Sequence, residues 1–262
     1  MTGLISAEWL KLHSVRSSRI ILAVIGASLA VGAALTWYVA SVWESTPIPD
    51  RDRVSISSME ELTLSINQLC FAILGILAMT TEYRTGLIRT TFTATPARGK
   101  VLAAKAIVLG AAAVVVGTGT SVLTYAVCDG IIGDRPIRFY DQPVDLAALL
   151  TAGPSTLMFA LIGLGVGTVL RSAAGSISAV VALWYVLPIV ALNLPDPWNS
   201  RVGSILLTKL DPQLAGVNPA DKYANADMPD LLLSPLAAAA VMAAYLAAAL
   251  VPAVVALRRD VR

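Results

Sequence analysis

Few residues in this 262-residue sequence are equipped for covalent or metal chemistry. His13 is the one histidine, and the two cysteines, Cys70 and Cys128, each sit in an apolar run as small hydrophobes. A zinc site draws on clustered Cys and His ligands, and no HExxH pattern is present, so metalloenzyme chemistry is excluded. With His13 in the N-terminal tail, no Ser–His–Asp set can assemble. The pattern GxxxxGK[ST], whose backbone amides cradle nucleotide phosphates, is absent, so ATP is not bound by that route. No catalytic, cofactor-binding or metal-ligating residue is expected, and the chain reads as a non-enzyme.

What remains is one basic segment and a handful of polar groups among apolar residues. The segment TTEYRTGLIRTTFTATPARGKVLAAK carries Glu82 with Arg84, Arg89, Arg98, Lys100 and Lys105. Its residues are helix-compatible from Glu82 to Thr93, and Pro96 stops the run. A basic amphipathic helix beside a membrane span suits either anionic lipid or a groove on a protein. Asn67, Gln68, Tyr125, Trp184 and Tyr185 are candidates for lining the path of an amphiphile. Interhelical hydrogen bonding and membrane-interface anchoring are the ordinary roles of the same residue types.

The elements that hold these groups follow from the spacing of charge. Hydrophobic residues make up 56% of the chain and charged ones 14%, with a mean hydropathy of +0.74. A soluble domain carries about 25% charged residues, so a bilayer is the solvent this composition requires. Six long stretches lack Asp, Glu, Lys, Arg and His, and they give spans at about 20–42, 62–81, 106–128, 146–170, 172–194 and 235–257. They show no alternation of polarity, which argues for helices rather than a barrel. The first is too long for a signal peptide's apolar region and is expected to stay as a span. No span holds an ionisable residue, which disfavours a proton- or ion-coupled mechanism.

Loop charge sets the orientation. Twelve of the 19 Lys and Arg residues fall on the side that holds both termini, which places the termini in the cytoplasm and the protein in the cell membrane. Residues 3–18 read as an interfacial helix, with Ile5, Trp9 and Leu12 on its apolar stripe and Glu8, Lys11 and Arg16 turned elsewhere. The long outer loop, 195–234, contains VGSILLTKL, expected to form a short helix at the outer interface. Gly163, Gly165 and Gly167 predict close helix packing within the chain. Pro154, Pro188 and Pro252 predict kinks. The expected fold is all-α: one polytopic transmembrane domain, 1–262, with six transmembrane helices and an N-terminal interfacial helix.

Taken together, these motifs resemble the membrane subunits of type-two ABC exporters. Glu8, Lys11, Leu12 and Arg16 are similar to that family's N-terminal elbow helix, although His13 stands where Arg is frequent. Glu82, Tyr83, Arg84, Gly86, Arg89, Pro96, Arg98 and Lys105 resemble its loop after the second span. Gly163, Gly165, Gly167, Arg171 and Gly175 resemble its fourth-to-fifth turn, and Arg258, Arg259 and Asp260 its C-terminal end. The resemblance implies a coupling helix between helices 2 and 3 that docks on a separate ATPase through Glu82, Tyr83, Arg84, Gly86 and Arg89. It also implies pairing with a second permease copy, identical or closely related, with ATP and Mg held in the partner ATPase. The cargo class it implies is hydrophobic or amphiphilic: drug, antibiotic, peptide or lipid. No nucleic-acid partner is expected. A membrane scaffold or sensor and, less readily, an ion-coupled secondary transporter remain as alternatives.

Overall fold

The computed structural model describes residues 2–88, 93, 97–137, 146–195, 197–216 and 233–259. The described chain is all-helical, and six of its helices are long and apolar enough to cross a membrane. Helix α1 (Thr2–Ser14) precedes α2 (Arg16–Ser45), the first candidate span. After a 3-10 turn at Ile48–Arg53 come α3 (Met59–Thr85), α4 (Arg98–Ile132) and α5 (Leu146–Leu170). The fifth span starts as α6 (Ala173–Val181), passes through a π-helical turn at Ala182–Val186 and finishes as α7 (Leu187–Leu192). Two short helices follow, α8 (Trp198–Ser204) and α9 (Leu207–Ala215), and α10 (Pro235–Arg259) is the last span.

The bundle is built around α5, which packs against α3, α4 and α10. Its small residues explain that place. A Cβ on Gly163 would stand 2.1 Å from the Ala72 carbonyl oxygen of α3, and one on Gly165 2.5 Å from that of Ala249 on α10. The reciprocal contact holds at Gly75, whose Cβ would meet Ala160 O at 2.2 Å. Only glycine lets the backbones approach this closely, and in lipid such contact is what associates helices. The glycine contacts expected from the sequence therefore lie within the chain. By contrast, α2, the fifth span and α10 bury only about a quarter of their apolar windows and form the periphery.

Several expectations need correction. The charge-free stretches mark the spans, but the helices run past them: Glu82 lies inside α3 and Lys105 inside α4, both buried. On α1, Glu8 is the buried residue and Trp9 is half exposed. The segment VGSILLTKL is not one helix, because the chain breaks at Ile205 and Leu206 between α8 and α9. Pro188 enters just after the π-helical turn; it supplies no amide hydrogen, so the regular ladder is interrupted there.

Candidate functional site

Four charged side chains from three helices meet at the end of the bundle where α1, the end of α3 and the start of α4 come together. Lys105 lies two turns into α4, far enough for its aliphatic stem to sit in the core while its ammonium reaches two carboxylates. Its Nζ is 2.7 Å from Glu82 Oε1 and 2.8 Å from Glu8 Oε2. Lys11 Nζ completes a ring, at 2.8 Å from Glu82 Oε1 and 2.9 Å from Glu8 Oε1. Two positive and two negative charges cancel, so the cluster is neutral as a unit. The Lys105 side chain is 3% exposed, against 45% for Lys11. Lys105 is therefore the buried hub and Lys11 closes the ring from the solvent side. Burial alone would lower the Lys11 pKa, but its hydrogen bonds to Glu82 and Glu8 outweigh that and raise it above the usual value.

A buried ring of this kind contributes little net stability over an apolar core, since desolvation offsets attraction. It does fix geometry. With every charge partnered twice, the N-terminal helix cannot shift against α3 and α4 without exposing or orphaning a charge. Within the ring, Glu82 Oε2 is buried with no hydrogen-bond partner among the described residues.

Two further contacts extend the site around the same end. The Arg171 guanidinium lies over the Tyr83 ring, 5.0 Å from its centroid, and so ties α3 to the turn between α5 and α6. Arg171 holds φ 54, a left-handed conformation that glycine usually occupies and that costs a side-chain-bearing residue about 1 kcal/mol. Ser172 then caps α6 by accepting the Gly175 amide at 3.3 Å. Arg98 Nη1 donates to Leu257 O at 3.2 Å, which joins the start of α4 to the end of α10. The four sequence motifs, far apart in the chain, thus converge on one end of the bundle. What the sequence lacked was any local sign that Glu8 and Lys105 face each other.

The coupling residues are distributed along this end. Glu82 is buried in the ring, Tyr83 is half-buried under Arg171, and Arg84 is exposed. Gly86 ends α3 in the left-handed region at φ 73, where its amide bonds Tyr83 O. The expected continuous helix from Glu82 to Thr93 is therefore broken at Gly86, and the first residues of that segment belong to the span helix. Arg89 lies outside the described residues.

The five candidate path residues are not gathered around one space. Asn67 is fully buried and donates to Thr120 on α4, whereas its neighbour Gln68 donates to Ser155 on α5 at 2.6 Å. Trp184 is packed against Phe159 with ring centroids 4.5 Å apart. Tyr185 is half exposed on the periphery, and Tyr125 donates to Asp129, one turn along its own helix, at 3.3 Å. An apolar recess of about 210 Å³ opens between α2 and α4, lined by Leu29, Ala33, Leu123, Val127 and Cys128, and none of the five lines it.

Six apolar helices joined by glycine-mediated contacts, with a buried ring of charges at one end of the bundle, are the build of a multi-pass membrane protein. A family model described as ABC-2 family transporter protein matches residues 4–208, and the chain belongs to that family. Permeases of this family normally work with an ATPase subunit. The comparison with curated proteins gives no match.

Proposed function

We propose that this chain is the membrane subunit of an ATP-driven exporter. It forms the path for a hydrophobic or amphiphilic cargo, a drug, antibiotic, peptide or lipid, and draws its energy from a separate ATPase that holds ATP and Mg. In this reading the chain sits in the cell membrane with its termini in the cytoplasm and works as a pair of permease copies. The observation that carries it is the convergence of α1, the ends of α3, α5 and α10 and the start of α4 through the Glu8–Lys11–Glu82–Lys105 ring, the Tyr83–Arg171 contact and the Arg98–Leu257 bond. A push on the exposed Arg84–Gly86 corner reaches the second and third spans directly through that ring. Family membership supports the transport role, and the basic character of 84–105 fits an acidic groove on the ATPase.

The test is a joint reversal, Arg84→Glu with Arg89→Glu, in a chain expressed with its ATPase. One surface charge pair is worth about 1 kcal/mol or less, so both are changed together. Membrane insertion is retained and ATPase co-purification and transport fall. If both survive in a properly inserted protein, the segment is a topology anchor and the reading fails.

A further inference from the structure

At the other end of the bundle, the sequence's charge-free interior acquires a carboxyl group from outside the spans. Helix α9 docks between α5 and α10 through Leu207, Leu210 and Gln213, all buried. Tyr245 of α10 donates to Ile205 O at 3.2 Å, and Gln213 ties the element together by donating to Ser204 O and accepting from Leu233 N. Docking this helix carries Asp211 inward. Its Oδ1 is buried without a hydrogen-bond partner among the described residues, and the carboxyl interacts with the Ser155 hydroxyl, which already accepts from Gln68.

We infer that Asp211 is a proton-binding latch: a proton on its carboxyl allows α9 to seat against α5, and loss of that proton loosens the seat. The physical reason is the cost of an ionised carboxylate without a counter-charge in an apolar contact. Among the described residues on the helices packed against α9, α5 offers no charged side chain. On α10 the titratable group near α9 is Tyr245, itself hydrogen-bonded to Ile205 O, while Arg258 and Arg259 lie at the far end of that helix. Arg201 of α8 lies over the Trp198 ring, and Lys209 is on α9 itself. From α3, Glu61 adds negative charge that disfavours ionisation of Asp211 further. Burial is the larger cause and Glu61 the smaller; together they outweigh the Ser155 hydrogen bond and hold the carboxyl at a pKa of about 6. A raised acid pKa means the docked state is favoured at low pH. That preference is complete below the ordinary carboxyl range and is lost as pH rises through about 6.

The proposal goes beyond the transport reading, because it concerns the docking of one helix and is measured without transport. The experiment is hydrogen exchange on the full chain in lipid nanodiscs at pH 5 and pH 8, expressed as protection factors so that intrinsic exchange is removed. Amides of 207–215 should lose roughly tenfold protection at pH 8 relative to pH 5, with the interior of α4 unchanged. Asp211→Asn, nearly isosteric, should hold the low-pH protection at both values. Glu61→Gln should move the transition to lower pH. Equal protection of 207–215 at both pH values in the unmodified chain overturns the latch, whatever the variants do. So does a pH dependence that survives Asp211→Asn.

Discussion

The Lys105 ammonium sits 2.7 Å from Glu82 Oε1, with both side chains more than nine-tenths buried, although 23 residues and a helix end separate them in the chain. The pair fixes the start of α4 against the end of α3, and the bond to Glu8 adds α1 to the same node. Such a node is weak as a source of stability and strong as a constraint on geometry.

Removing one partner should therefore be costly. Lys105→Met leaves two buried carboxylates sharing Lys11, and should destabilise the protein by about 3 kcal/mol, the low end for an orphaned buried charge. Glu82→Met with Lys105→Met should recover much of that loss, since the buried charges leave together. Thermal unfolding of both variants in the same detergent checks the ordering. A double variant less stable than Lys105→Met alone would contradict it.

Lys11 should matter less. It is nearly half exposed, so water can replace part of its charge, and Lys11→Met is expected to cost less than Lys105→Met. Its pKa is raised in the folded protein, so its contribution is fully present below its ordinary value of 10.5 and is lost only as pH rises through the higher folded value. The stability difference between the native chain and Lys11→Met should accordingly be flat from pH 7 to 9 and shrink in more alkaline solution.

The glycines allow a matched comparison. At Gly163 a methyl would overlap the Ala72 backbone, and at Gly26 it would meet nothing within 4 Å. Gly163→Ala should force α3 and α5 apart and destabilise by about 1–3 kcal/mol. Gly26→Ala should be neutral or slightly stabilising, since alanine is the better helix former. Equal effects at the two positions in thermal unfolding would remove the argument that α5 is seated by small residues.

The spans were legible because hydrocarbon tolerates no charge over a helix length, a local rule that a sequence displays directly. The helix ends were not. Glu82 and Lys105 read as loop residues by hydropathy, and partners 71 and 97 residues away, Lys11 for Glu82 and Glu8 for Lys105, help to bury them in helices. On α1 the spacing of Ile5, Trp9 and Leu12 carries no sign that Glu8 is buried, because its charge is satisfied from another helix. Asn67 and Gln68 are consecutive, so their side chains leave α3 about 100° apart toward different neighbours. Asp211 was hidden most deeply, since its burial depends on a loop helix folding back onto Ser155.

Orientation is checked by labelling. A cysteine introduced at Thr93 should be shielded from an impermeant thiol reagent in intact cells, and one at Asn225 should react. The reverse pattern would invert the proposed topology.

The central claim, that the buried ring transmits between the ATPase and the membrane helices, is tested most directly by Glu82→Gln in the reconstituted complex of permease and ATPase. This change keeps side-chain size and removes the charge that Lys105 and Lys11 share. The account predicts that the complex still assembles on gel filtration while the permease-dependent stimulation of ATP hydrolysis falls several-fold. Full stimulation in an intact Glu82→Gln complex would contradict it.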